Sequence, residues 1–192
     1  MKSILTMAWA AEDPSAFDLA AKLARAWDAR LVGLEPPSYG VMSMAWADAG
    51  MGAPIGGGLA EDAEEPQRVA AVKQAFDARA TGLRSEWRSA DDSGPTAIGI
   101  IGRAFDLIVM DPPSFSNSKK MLDILDIQRD HQKLIDGAMA LLASDGLLFF
   151  SNNLRSFALD EAVAQKYAVK DISKQSVPED FRNKKIHQCW EI

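Results

Sequence analysis

Phe105-Asp106-Leu107-Ile108-Val109-Met110-Asp111-Pro112-Pro113-Ser114-Phe115 is the stretch on which the reading of this chain turns. Its short apolar run, stopped by an acid and two prolines, reads as a buried strand, because proline has no N–H to give to a ladder and its ring fixes φ. Around it, strand and helix signals alternate. Residues 4–9 form a short apolar run. Residues 14–30 carry Phe17, Ala20, Leu23, Ala24 and Trp27 at the spacing of a helix with one buried face, with Asp13 as N-cap and Pro14 as first helical residue. Residues 30–34 are a second strand, closed by Glu35-Pro36-Pro37. A loop over 38–58, ending in Gly56-Gly57-Gly58, leads to a helix at 66–81, a strand at 85–89 and a short helix at 95–103.

Beyond the prolines, 127–143 reads as a helix burying Leu134, Ile135, Ala138, Leu141 and Leu142, and Asp145-Gly146 turns it into a strand at 147–151. A helix at 157–167 and strands at 169–175 and 187–192 complete the chain. Such alternation predicts an α/β doubly wound three-layer sandwich, mostly parallel, with right-handed crossovers. The last two strands have no helix between them and are expected to pair antiparallel at one edge.

The chain has 192 residues, 47% of them hydrophobic, enough for one full-sized core, so 1–192 is expected to be a single domain. No stretch approaches the ~20 apolar residues of a membrane span, and none resembles an export leader. A cytoplasmic location with no membrane partner follows as the expectation. Cys189 is the only cysteine, which excludes an internal disulfide and a cysteine-built zinc site, and it is expected to be a buried small hydrophobe. His131 and His187, the only histidines, make no metal set with it, and His187 is expected to be a packing residue of the last strand. The net charge of −6 offers no global attraction for a phosphate backbone. RNA binding is therefore expected to be weak and to need a local patch, for which Lys119 and Lys120 are candidates.

Two resemblances arise from these motifs. Residues 1–110 resemble the universal stress protein family, through Lys2-Ser3-Ile4-Leu5, Ala29-Arg30-Leu31-Val32-Gly33-Leu34, Ser85-Glu86-Trp87-Arg88 and Phe105–Met110. Residues 105–192 resemble the C-terminal methyltransferase module of the bacterial bifunctional 23S rRNA guanine methyltransferases. The motifs are Asp111-Pro112-Pro113-Ser114-Phe115-Ser116-Asn117-Ser118-Lys119, Gln128-Arg129-Asp130-His131, Phe150-Ser151-Asn152-Asn153 and Ile186-His187-Gln188-Cys189-Trp190. That resemblance implies S-adenosylmethionine as methyl donor and guanine N7 as acceptor. Both families order their sheets 3-2-1-4-5, and the methyltransferases add two strands, so a joint at 105–110 implies the order 3-2-1-4-5-7-6. The chain reads as an engineered chimera, a stress-protein-like half (1–110) and a methyltransferase-like half (105–192) sharing one strand. Its dimeric state is left open.

In a doubly wound sheet, ligands sit beyond the carboxyl ends of the strands, where Asp111 falls. Asp111, Pro112 and Pro113 would turn a carboxylate and carbonyls to a base edge, and Phe115 would stack on a base presented outside a helix. The donor side reads otherwise. S-adenosylmethionine in this fold lies over a glycine-rich turn after the first strand, and here that turn is Ala8-Trp9-Ala10-Ala11-Glu12-Asp13-Pro14. Glu35 is the one acid placed for the ribose hydroxyls. ATP is not expected, since no aspartate follows the first strand in the stress-protein manner and no glycine-rich phosphate motif follows Met110. The expectation is a folded domain with the target-base half of a methyltransferase site and no complete active site. The alternatives are a weakly active RNA methyltransferase and a nucleotide-binding stress-type protein.

Overall fold

The computed structural model describes residues 2–7, 14–34, 65–88, 105–113, 126–177 and 187–192. The strands are β1 (Ser3–Met7), β2 (Arg30–Leu34), β3 (Ser85–Arg88), β4 (Phe105–Met110), β5 (Leu142–Asn152), β6 (Lys170–Asp171) and β7 (Gln188–Glu191). The helices are α1 (Ser15–Trp27), α2 (Glu65–Ala80), α3 (Ile127–Leu141), α4 (Glu161–Lys166) and the single turn α5 (Ser173–Ser176). The seven strands form one sheet in the order β3-β2-β1-β4-β5-β7-β6, as expected. The first five pair in parallel, while β7 runs antiparallel to both β5 and β6.

β4 lies at the centre because it can be buried on both faces. Leu107 and Val109 enter the core shared with Phe17, Ala20 and Ala24 of α1 and Val72 and Phe76 of α2. Ile108 and Met110 face the opposite core, with Leu134, Ile135 and Ala138 of α3 and Val163 of α4. Alternate residues thus feed alternate layers, which is the three-layer arrangement. The one exposed residue of β4, Asp106, has its own task. Its Oδ2 accepts the Ser3 backbone N–H at 2.7 Å and the Ser3 hydroxyl at 3.0 Å, tying the start of β1 to β4.

Several boundaries differ from the sequence reading, each for a local reason. Pro14 occupies the N-cap position of α1 without a side-chain cap, so it precedes the helix rather than opening it, and Asp13 lies outside the described residues. α1 ends three residues early, where Asp28 takes a left-handed conformation with φ 48°. Asp145-Gly146 is no turn. α3 passes directly into β5 at Leu142, and both residues lie inside the strand. Phe105 pairs with Leu142 across a register shift, and a Cβ on Gly146 would stand 2.9 Å from the Phe105 carbonyl oxygen, so the glycine permits this close approach. α4 starts only at Glu161, because the Asp160 carboxylate caps it through the Ala162 N–H at 2.8 Å. The strand expected at 169–175 shrinks to Lys170–Asp171, since Asp171 accepts the Ser173 N–H and starts α5. Among the described residues, no helix is long and apolar enough to cross a membrane. The expected helix at 95–103 and the loop at 38–58 lie outside the described residues.

Gly33 in β2 shows how tightly the outer layer is fitted. Phe17, Phe76 and Trp87 form an aromatic cluster with centroids 5.3 to 6.4 Å apart, and it lies against this glycine. A Cβ there would meet Trp87 at 2.5 Å and Phe76 at 2.8 Å. Gly33→Ala is expected to destabilise the fold by about 1–3 kcal/mol, as overpacking of a filled core does. Urea unfolding followed by tryptophan fluorescence checks this, and an unchanged midpoint would contradict the fit.

Candidate functional site

The chain leaves β1 toward β2 and β3 and returns through β4 on the other side of β1. The carboxyl ends of β1 and β4 therefore bound the switch point where this architecture accepts ligands. Asp111 is the first residue past β4. Its Oδ1 accepts the Ser151 hydroxyl of β5 at 2.8 Å, and its Oδ2 accepts the Ser15 hydroxyl of α1 at 3.1 Å. The parallel register that sets Met110 beside Phe150 brings Asp111 and Ser151 level. A carboxylate held on both oxygens by hydroxyl donors has little rotational freedom. Pro112, buried, and Pro113, half-buried, follow it and contribute carbonyls without N–H groups.

Ser151 pairs across the antiparallel ladder with Cys189. Burial first, then the negative charge of Asp111, push the Cys189 thiol up to about 12. Cys189 is 7% exposed, in keeping with the reading of it as a buried small hydrophobe.

The next residue, Asn152, is fully buried. Its Oδ1 accepts the Leu154 N–H at 3.0 Å, which fixes the sense of the amide, and its Nδ2 has no hydrogen-bond partner among the described residues. A buried donor left unpaired costs about 1–3 kcal/mol. The amides around it are engaged. Gln188 donates from Nε2 to the Leu154 carbonyl at 3.1 Å, and His187 Nδ1 lies 3.0 Å from Asn153 Oδ1. His187 was expected as a packing residue within the last strand. It instead precedes β7, half-buried and bonded to Asn153, because the strand begins only at Gln188.

The segment that follows β5 is clasped to the start of α3 by the residues of the Gln128-Arg129-Asp130-His131 motif. Gln128 donates from Nε2 to the Ala158 carbonyl and accepts the Ala158 N–H at Oε1, both at 2.9 Å. His131 Nε2 accepts the Asp160 N–H at 3.0 Å, so its Nδ1–H is the one turned to the Ile127 and Gln128 carbonyls. Phe157 packs edge-on against the same ring at 4.8 Å. Asp130 accepts the Asp126 N–H and pairs with Arg129, while Asp126 caps the helix in return. The motif is architectural.

Of the site residues expected from sequence, Asp111, Pro112 and Pro113 stand together at the switch point. Phe115, Lys119, Lys120 and Glu35 lie outside the described residues, as does the turn over 8–13. Ser15 was not singled out at all, since a serine opening a helix is locally unremarkable and only the fold reveals its bond to Asp111. Among the described residues, no group of three or more His, Cys, Asp or Glu side chains could hold a metal ion.

Among the described residues, the polar side chains at the switch point are Asp111, Ser15 and Ser151, bonded to one another, and the sequence over 8–13 contains no glycine. In fold the chain is like SMU.776, a solved structure described as a methyltransferase complexed with SAH. The likeness has a TM-score of 0.54 at 17% identity, over 99% of this chain and 44% of that one. No protein-family profile matches the chain. Over 91 residues, 47% of its length, it is 85% identical to ribosomal RNA large subunit methyltransferase K of Neisseria meningitidis serogroup B, covering 26% of that protein. Over 89 residues it is 61% identical to ribosomal RNA large subunit methyltransferase K/L of Legionella pneumophila strain Lens, covering 13% of it. About half of the chain is thus homologous to these rRNA methyltransferases, and the chain spans about a quarter or less of their length.

The buried thiol gives a test of the site's electrostatics. Because folding raises its pKa, the thiol contributes stability that is present below its ordinary value of 9.0 and is lost as the pH rises toward about 12. Native protein at pH 8 is expected to resist alkylation at Cys189. Cys189→Ala is expected to flatten the fall in stability between pH 9 and pH 11, read from urea midpoints. Rapid native alkylation would contradict the burial.

Proposed function

We propose that this chain carries the acceptor-base side of an S-adenosylmethionine-dependent rRNA methyltransferase on a domain whose donor side is altered. The observation that carries the reading is the Asp111 carboxylate, held at the switch point by hydroxyls from α1 and β5. The names of the relatives supply the substrate class, large-subunit rRNA, and the motif resemblance supplies guanine N7 as the acceptor atom. That nitrogen is a hydrogen-bond acceptor with a free lone pair, so its alkylation leaves a cation and needs no proton removed. The role of Asp111 is to receive hydrogen bonds from the base edge and to favour the charge that develops on it. Phe115 stacks on the base, and Lys119 and Lys120 meet the backbone phosphates.

S-adenosylmethionine supplies an electrophilic methyl group on a sulfonium. Glu35, just past β2, would take its ribose, and without a glycine at 8–13 the donor binds weakly and turnover is slow or nil. The chimeric origin belongs to this reading, supported by the way 105–110 suits both families and by the lack of glycine at 8–13. Work on rRNA would place the protein in the cytoplasm.

Two measurements test the proposal. Fluorescence anisotropy with a single-stranded guanine-containing RNA is expected to show binding that Asp111→Ala weakens about tenfold or more, the worth of a hydrogen bond to a charged group. Equal affinity of the two proteins would remove Asp111 from the site. Calorimetric titration with S-adenosylmethionine is expected to give heats only at millimolar concentrations, and micromolar binding would overturn the altered donor side.

A further inference from the structure

We infer that the two oxygens of Asp111 have different tasks: Ser151 is the positioning residue that anchors Oδ1, and the Ser15 hydroxyl is a stand-in on Oδ2 that an N–H of the incoming base displaces. The inference rests on the acceptor-site reading above and adds which oxygen meets the ligand and what the ligand must replace.

The two hydrogen bonds differ in support, exposure and length. Ser151 stands inside β5, a strand flanked by β4 on one side and β7 on the other, so its hydroxyl is carried by a backbone with little latitude. It is half-buried and meets Oδ1 at 2.8 Å, within the about 2.7–2.8 Å most common for O–H···O bonds. Ser15 is the first residue of α1, is exposed, and meets Oδ2 at 3.1 Å, past the usual upper limit of about 3.0 Å. Water competes more readily for the second bond than for the first.

Their directions differ as well. Oδ1 is turned along the sheet to β5, whereas Oδ2 is turned to the start of α1, the element that follows β1. Because the carboxyl ends of β1 and β4 bound the switch point, Oδ2 is the oxygen on the crevice side. A base edge that carries N–H groups, as guanine does at its N2 amino group, finds an acceptor there by replacing one long hydrogen bond with a shorter one. The exchange costs little, because an exposed hydroxyl turns to water when it leaves the carboxylate. Ser151 meanwhile keeps the carboxylate from following its departing partner.

Anisotropy titrations of the full chain and its variants with the single-stranded guanine-containing RNA test this through opposite signs. Ser15→Ala removes the competing donor and is expected to tighten binding about two- to tenfold, the worth of one modest hydrogen bond, whereas Ser151→Ala is expected to weaken it by a similar factor. Ser151→Thr, which keeps the hydroxyl, is expected to bind as the unaltered protein does. In an Asp111→Ala background, Ser151→Ala is expected to have no further effect, which a general loosening of the strand would not reproduce. Urea midpoints of the same proteins separate loss of fold from loss of binding, and Ser151→Cys, of similar size and a weak donor, takes the place of an alanine variant that does not fold. The division of tasks fails if Ser15→Ala weakens binding or leaves it unchanged, if the loss of the Ser151 hydroxyl has no effect or one that persists without Asp111, or if Ser151→Thr is as weak as Ser151→Ala. Those outcomes leave the acceptor site standing as long as Asp111→Ala still impairs binding. RNA binding that is absent from the unaltered protein, or that Asp111→Ala does not touch, would overturn both.

Discussion

The structure depends on the parallel pairing of β1 with β4, Ile4 with Leu107 through Met7 with Met110. This seam joins the two ends of a crossover. Both strands are almost wholly buried, so their N–H and C=O groups have no water to turn to and must satisfy each other. Ser3 and Asp106 secure the lower end of the seam with two hydrogen bonds to one oxygen. At the upper end Ser15, from the element after β1, closes on Asp111, the residue after β4. The same register that builds the core therefore also sets the separation of the groups at the crevice.

Much of this was legible in the residues. Arg30–Leu34 and Phe105–Met110 are bounded as expected, because apolar runs that stop at an acid and prolines report burial and termination locally. The antiparallel edge follows from the lack of a long helix signal between the last two strands, whereas the sheet order is what the methyltransferase resemblance implies. What stayed hidden depends on distant partners. Gly146 looks like a turn glycine, yet its purpose is set by the carbonyl of Phe105 on another strand. Phe157 looks helical by spacing, but the clasp on Ala158 keeps its surroundings out of the helix until Asp160. Asp111 could be picked out by its place at a strand end, while the two hydroxyls that hold it come from elements 40 and 96 residues away.

The crevice is asymmetric in its chemistry. On the β4–β5 side, polar side chains are numerous and mostly committed to one another, so their positions are set before any ligand arrives, which lowers the entropic cost of recognition. On the β1–α1 side, Ser15 serves the same carboxylate.

The grip of Gln128 on residue 158 has a consequence for how this protein tolerates change. The amide engages only main-chain atoms, an N–H and a C=O, and the Ala158 side chain faces outward. Position 158 is thus open to almost any replacement except proline, which would remove the N–H. Position 128 has no such latitude: glutamate lacks the donor, and asparagine falls one methylene short. Variation and constraint are divided between two residues in contact, and the one that looks like the anonymous partner is the free one.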